Sequence, residues 1–231
     1  MRAKVRLMPA LAAFDLDGVL YSSEPFLGEA YREAIERVNA RRPGSFERVP
    51  ATREILDHIG WPVLIILERL FPGAEEAAMR LLHAETLAVI CAHVAHGDGL
   101  LYPGVAPTLG ALRANGLHLA VASNGRTQYV ETVLETYALG DLFVERVTAD
   151  QVGDKRAVLR AYVERLGVAP AETVMIGDRA SDVEAARAVG CLFVGCDSGH
   201  GYRPEIAAAG PLVSRFVDLP AAIAAALAAA E

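Results

Sequence analysis

The sequence predicts an α/β protein, a doubly wound parallel sheet with a block of helices inserted into it. Three observations carry that prediction. Five short apolar runs recur along the 231 residues, and each closes on a polar or glycine-rich signal. Continuous apolar runs suit parallel strands covered on both faces, whereas a strand with one wet face would alternate. Helical patterns that stop at a glycine separate the runs, so the chain reads as successive strand–helix–strand units. One long stretch, residues 22–99, leaves this rhythm and holds helical patterns alone.

The first run, Leu11–Phe14, leads into Asp15-Leu16-Asp17-Gly18. Beyond Tyr21 the helical stretch begins, with patterns over Phe26–Arg37, Ala51–Ile59, Val63–Leu70 and Ala74–Val94. Turn signals at Pro43-Gly44, Gly60-Trp61-Pro62 and Pro72-Gly73 separate them. Tyr21 and Gly97-Asp98-Gly99 are the natural hinges. Residues 1–21 and 100–231 are thus expected to form the α/β core, and residues 22–99 a helical cap. After the core resumes at Leu100, a helix is expected over Ala106–Ala114, closed by Gly116, then a strand over Leu117–Ala122. A helix over Thr127–Tyr137, closed by Gly140, precedes a third strand over Leu142–Val147. Next come the helix Lys155–Leu166 with Gly167 and the strand Thr173–Ile176. The helix Asp182–Val189 with Gly190 and the strand Leu192–Val194 complete the series. Glycine just past a helical pattern is a stop signal. The alanine-rich helix from Ala221 is expected to pack on the sheet.

Composition narrows the function. The 22 Lys and Arg against 29 Asp and Glu leave a net charge of -7, so no basic footprint for a nucleic acid is present. Anionic substrates stay open, because a bound metal ion inverts the local field. Cys91, Cys191 and Cys196 form no C-x-x-C pair, and reduced thiols are expected in place of a disulfide framework. Met1–Leu11 lacks the apolar stretch of a signal peptide. Val63–Leu67 and Ala221–Ala230 fall short of the roughly 20 residues of a membrane span. A cytoplasmic protein with no membrane or nucleic-acid partner is the expectation.

In an open parallel sheet, ligands bind beyond the carboxyl ends of the strands. Asp15 and Asp17 follow the first run, Ser123-Asn124-Gly125 the second, and Gly177-Asp178 the fourth, with Asp182 four residues further on. Lys155 opens the helix that follows the third run. Singly, these residues have plain readings as turn residues, as a helix cap at Asp182, or as a solvated lysine. A lysine in a first turn, however, opposes the helix dipole. Together, Asp15, Asp17 and Asp178 would repel one another unless a cation neutralised them. Hard oxygen ligands of this kind suit Mg²⁺. A carboxylate nucleophile attacking an anionic phosphoryl group needs Mg²⁺ and Lys155 to offset the repulsion. Two carboxylates two residues apart can divide nucleophilic from acid–base work. Gly18 lets the chain turn away.

Phe14-Asp15-Leu16-Asp17-Gly18-Val19-Leu20 resembles the first motif of the haloacid dehalogenase superfamily of phosphohydrolases. Ser123-Asn124 resembles its second motif, Lys155 its third, and Gly177-Asp178-Arg179-Ala180-Ser181-Asp182 its fourth. Ser23-Glu24-Pro25 and the insertion after motif one resemble the helical-cap subfamily of phosphoglycolate phosphatases and β-phosphoglucomutases. Ser22 and Arg156 stand where relatives often carry Asp and Pro. The resemblance implies that Asp15 is the nucleophile and Asp17 the acid and base. It also implies that Asp15, the backbone carbonyl of Asp17, and Asp178 hold Mg²⁺, while Asp182 supports Lys155 or the metal. Ser123 and Asn124 would meet the substrate, and the cap's Arg53 and Trp61 lie where related caps face it. His200, in Gly199-His200-Gly201-Tyr202, is a further candidate for substrate contact.

The resulting expectation is a Mg²⁺-dependent phosphatase of a small phosphorylated metabolite, such as phosphoglycolate, a sugar phosphate or a nucleotide. The alternatives are a phosphomutase of the β-phosphoglucomutase type and a phospho-receiver module. A receiver needs neither a cap nor an acid–base residue at Asp17.

Overall fold

The computed structural model describes residues 10–197 and 204–230. Among these, the strands are β1 (Leu11–Phe14), β2 (Tyr21–Ser22), β3 (Leu100–Leu101), β4 (His118–Val121), β5 (Thr173–Gly177), β6 (Leu192–Cys196) and β7 (Leu212–Val213). Helices α1 (Glu24–Arg41), α2 (Thr52–Leu56), α3 (Val63–Leu70) and α4 (Glu76–His96) lie between β2 and β3. Then follow α5 (Val105–Ala114), α6 (Thr127–Thr136), α7 (Ala149–Val152), α8 (Lys155–Leu166), α9 (Ala180–Val189), α10 (Pro204–Ala207) and α11 (Leu219–Ala229).

Successive residues of a strand face opposite sides of a sheet, and β1 is buried on both. Leu11 and Ala13 enter one core with Val158, Leu159 and Tyr162 of α8 and Val183 and Ala186 of α9. Ala12 and Phe14 enter the other, with Leu109 of α5, Val130 and Val133 of α6, and Ile223 of α11. Helices on both faces leave no room for polar alternation, which is why the strands read as continuous apolar runs. The sheet is parallel with the order β4-β1-β5-β6-β7. The chain leaves β1 for β4 on one side and returns to β5 on the other. Strand order therefore reverses at β1, and the carboxyl ends of β4, β1 and β5 open on one crevice.

The expected third strand is absent as a regular element. Gly140–Leu142 is a turn of 3₁₀ helix, and the chain then runs extended beside β4, touching it through the Ala120–Glu145 and Ser123–Thr148 bridges. The reason is Tyr162 on α8. Its hydroxyl accepts from the Val147 backbone N–H at 2.7 Å and lies against the carbonyls of Val121 and Val147. A side chain thus takes the places of ladder partners, and pairing stays broken.

Tyr21 and Ser22 pair antiparallel with Leu101 and Leu100, so the chain enters and leaves the helical block through one two-stranded ribbon. Within the block α1 lies along α4, while α4 also packs on α3 and α6. The α2 helix ends at Leu56, short of the expected Ile59, and turns carry the chain through Gly60. Contrary to the expectation from apolar runs, α4 is long and apolar enough to cross a membrane by length and composition alone. That apolarity has a use inside the fold, where Ala78, Leu82, Val89 and Val94 are buried. Cys91, Cys191 and Cys196 are free thiols.

Candidate active site

The loop after β1 is built by its own backbone. The Asp15 N–H donates to the Ile176 carbonyl at 2.9 Å and extends the ladder one residue past the strand. The Leu20 and Tyr21 N–H groups both turn back to the Leu16 carbonyl, at 2.9 and 3.0 Å. Gly18 has φ +80°, and a Cβ there would lie 2.4 Å from Asp178 Oδ2. Only glycine allows both that backbone and that approach. Gly177 allows the same close approach to Asp182, whose carboxyl would be 2.3 Å from a Cβ at that position.

Lys155 sits in the first turn of α8, whose N-cap Asp154 accepts from the Ala157 N–H. Its ammonium, 3% exposed, lies 2.9 Å from Asp15 Oδ2 and 2.5 Å from Asp182 Oδ1. Burial alone would lower the lysine's pKa, but the two carboxylates outweigh it and hold the ammonium charged, above its usual range. Asp182 also accepts from the Asp178 and Arg179 N–H groups at 3.1 and 3.0 Å through Oδ2. It is both the cap of α9 and the anchor of Lys155. Arg179 Nε lies 3.3 Å from Asp178 Oδ2.

Asp17 differs from Asp15. Its Oδ1 accepts a 2.6 Å hydrogen bond from the Tyr129 hydroxyl on α6, and Ser23 Oγ stands 3.5 Å away. Burial pushes its carboxyl up to about 6, against the pull of those hydrogen bonds and of Lys155 and Arg179. A carboxyl near 6 can hold a proton and release it near neutral pH. No spacing rule pointed to Tyr129, because an aromatic on the buried stripe of an amphipathic helix reads as core.

Ser123 is buried and lines the same cavity as Asp15, and its Oγ accepts from the Gly125 N–H at 2.9 Å. The Asn124 amide donates to the Gly60 carbonyl at 2.8 Å and ties the β4 loop to the turn after α2. A cavity opens over Asp15, Asp17, Ser123 and Asn124, and Trp61 lines it, 47% exposed, with the Arg69 guanidinium 4.5 Å from its ring. Arg53 is not brought there. Its side chain is 76% exposed and pairs with Asp57 at 3.0 Å, because residues two apart on a helix face opposite ways and Ile55 takes the inward position. His200 lies outside the described residues.

The donor chemistry fits a divalent cation. Asp15, Asp178 and Asp182 are buried, with one carboxylate oxygen from each within 4.8 Å of the others. Burial pushes the Asp15 carboxyl well above its usual range, and Asp182 and Asp178 add to this against the pull of Lys155. More positive charge is needed. Asp182 also anchors Lys155 and two N–H groups, and the hard carboxylate oxygens of such a cluster suit Mg²⁺.

The sequence matches the haloacid dehalogenase-like hydrolase family over residues 9–190, and a second model described as HAD-hydrolase-like over residues 155–229. It is 32% identical over 232 residues to the phosphoglycolate phosphatase of Salmonella typhimurium, covering 90% of this chain and 89% of that one. It is likewise 32% identical over 217 residues to that of Shigella flexneri, covering 84% and 83%. A predicted phosphoglycolate phosphatase from Haemophilus somnus superposes with a TM-score of 0.80 at 25% identity, covering 92% of this chain and 97% of that one. CbbY from Rhodobacter sphaeroides, solved in complex with phosphate, shares the fold at a TM-score of 0.73 and 22% identity, covering 92% and 96%. With the family matched across most of its length and a buried Asp–Lys–Asp cluster at the sheet's switch point, the chain belongs to the haloacid dehalogenase-like hydrolases and is a phosphatase.

Proposed function

We propose that this phosphatase hydrolyses a small phosphomonoester through an aspartyl-phosphate on Asp15. The observation that carries the reading is the division between two buried carboxyls two residues apart. Asp15 lies against a charged lysine, and Asp17 is held near 6 beneath the same cavity. Asp15 attacks phosphorus, the bond to the ester oxygen breaks, and Asp17 gives its proton to the departing alcohol. Asp17, now a carboxylate, takes a proton from the water that attacks the aspartyl-phosphate. Inorganic phosphate leaves, and both carboxyls return to their starting states. Lys155 offsets the charge gathered on the phosphoryl oxygens, and Ser123, in the lining of the same cavity, orients them. When bound by Asp15, Asp178 and the backbone carbonyl of Asp17, Mg²⁺ supplies the positive charge that lets an anionic carboxylate meet an anionic phosphoryl group.

Residues 22–99 act in this reading as a cap over the α/β core of residues 1–21 and 100–231, hinged at the β2–β3 ribbon. The Asn124–Gly60 hydrogen bond and the packing of α4 on α6 support it. Relatives named for a small phosphorylated acid support the size class of the substrate. Turnover of an aryl phosphate should stop with EDTA and return with Mg²⁺. Asp178→Asn should need far more Mg²⁺ for the same rate. Undiminished turnover after thorough chelation would remove the metal from the reading.

A further inference from the structure

The floor of the cavity consists of loops at the sheet's carboxyl edge, with Asp15, Asp17 and Ser123, and its roof comes from the four helices between β2 and β3. On α4, His83, Thr86, Leu87 and Ile90 line the space together, at the three- and four-residue steps of one helix face. Thr86 is the member that needs a cause. It is fully buried, and its hydroxyl has no hydrogen-bond partner among the described residues. A helical threonine ordinarily returns its hydroxyl to the carbonyl one turn back, as Thr132 on α6 does to Gln128 at 2.7 Å. A valine of the same shape would leave nothing unsatisfied here, so the hydroxyl costs the fold stability that it does not repay within the chain.

A cation serves the same stretch of α4. Arg126 follows Gly125 in the β4 loop and lines the same cavity. Burial pushes the His83 imidazole below its usual range, and the Arg126 charge adds to this. Burial raises the Cys91 thiol, against the pull of Thr132 and Arg126. The guanidinium therefore acts on both sides of Thr86. Asp150 feels its charge too, but among the described residues no carboxylate is in ion-pair contact with it. Other polar side chains of the lining are engaged: Tyr129 and Ser23 on Asp17, Asn124 on Gly60, and Ser123 on the Gly125 N–H. Thr86 and Arg126 can both donate, and the partner they lack is an acceptor. An anionic acceptor makes the stronger bonds, more so where Leu87 and Ile90 exclude water. A carboxylate, with two oxygens and one charge, matches one hydroxyl and one guanidinium.

Building on the phosphatase reading, we infer that Thr86 is a specificity-determining residue: its hydroxyl, with the Arg126 guanidinium, takes the oxygens of a carboxylate carried on the substrate's alcohol part. The phosphoryl group meets the floor, and the carboxylate meets the polar spot on the roof.

Trp61, the single tryptophan of the chain, lines the cavity, so its fluorescence reports occupancy without turnover. The test titrates the Mg²⁺-loaded protein with 3-phosphonopropionate and with its apolar isostere 3-methylbutylphosphonate, neither of which is hydrolysed. In parallel, kcat and KM are measured for phosphoglycolate and for isobutyl phosphate. Wild type should bind 3-phosphonopropionate at least about 10-fold tighter than the isostere. Thr86→Val should weaken that binding about 10-fold, the scale of one hydrogen bond to a charged group. It should also raise KM for phosphoglycolate with kcat nearly unchanged, and Thr86→Ser should restore both. Arg126→Gln should weaken 3-phosphonopropionate by a similar factor, and neither variant should alter binding of the isostere. Thr86→Val should melt no lower than wild type, because the hydroxyl it removes has no partner; a lower midpoint would reveal a structural role and overturn the inference. Equal binding of the two phosphonates by wild type, or an unchanged preference in Thr86→Val, would also overturn it, while Mg²⁺-dependent turnover of either ester would leave the phosphatase reading standing. Failure of both phosphonates to bind, together with no turnover of either ester, would overturn both.

Discussion

At the scale of single residues, the site works by giving like groups unlike surroundings. Asp15 and Asp17 are both buried carboxyls, yet one faces an ammonium and the other a phenol. Tyr129 is the residue that sets Asp17's orientation, and its own hydroxyl stays protonated because burial and the Asp17 charge push its pKa up. It touches Asp17 and is a positioning residue. Tyr129→Phe removes one charge-assisted hydrogen bond, worth about 1.5–3 kcal/mol. Only part of that bond strengthens or weakens between ground and transition states. We therefore expect kcat to fall about 10-fold with KM nearly unchanged. A purely structural role would instead move the melting midpoint and KM together. The Asp residues and Lys155 were legible in the sequence because each follows an apolar run, and strand ends in a parallel sheet converge. Tyr129 was not, since what distinguishes it is a contact with a residue 112 positions away.

At the scale of elements, two side chains repair what the backbone leaves open. The N-terminus of α6 has no cap from its own Arg126. Asp150, on α7, accepts from the Thr127 N–H at 3.2 Å and the Thr127 hydroxyl at 2.9 Å. Burial would raise the Asp150 carboxyl, but the Thr148 hydroxyl, the Thr127 N–H and the Thr127 hydroxyl outweigh it and hold it below its usual value. A folded-state pKa below the unfolded one stabilises the fold above the unfolded value, near 3.9, and that contribution fades as pH falls through the folded value. Asp150→Ala should thus cost about 0.5–1 kcal/mol in denaturant titrations at pH 7. The gap from wild type should close below about pH 4; a gap unchanged at acid pH would contradict the cap. Tyr162 plays the second such part. Tyr162→Phe leaves the buried Val147 N–H without its partner and should cost about 1–3 kcal/mol, read as a lower midpoint in urea. The same residue explains why the expected strand over Leu142–Val147 does not form: its apolar run is real, but a hydroxyl from α8 occupies the ladder positions. Hydrophobic pattern alone carries no trace of that.

At the scale of the whole molecule, loops of the sheet and the four inserted helices line one cavity. The doubly wound sheet and the helical block were legible from apolar runs and glycine stops, because both follow from local periodicity. The cavity roof was not. Leu27, Ile55, Ile66 and Leu87 come from four helices, each showing an ordinary buried stripe, and only the tertiary arrangement turns those stripes toward Asp15. Arg53 illustrates the converse, a charged residue at a plausible position that the helix turns outward. What the whole arrangement must do, if Asp15 is the nucleophile and Asp17 the acid and base, is pass through a covalent enzyme. Asp17→Asn isolates that state. An aryl phosphate with a good leaving group needs little acid assistance in the first step, whereas water attack in the second still needs the base, a contribution of roughly 10²–10⁴-fold. The measurement is rapid acid quench of Asp17→Asn with Mg²⁺ and such a substrate, followed by peptide mass mapping. The account predicts one equivalent of phenol released in a burst and a phosphoryl group on the peptide carrying Asp15, absent in Asp15→Asn. A burst with the label on another residue, or full turnover by Asp15→Asn, would contradict it.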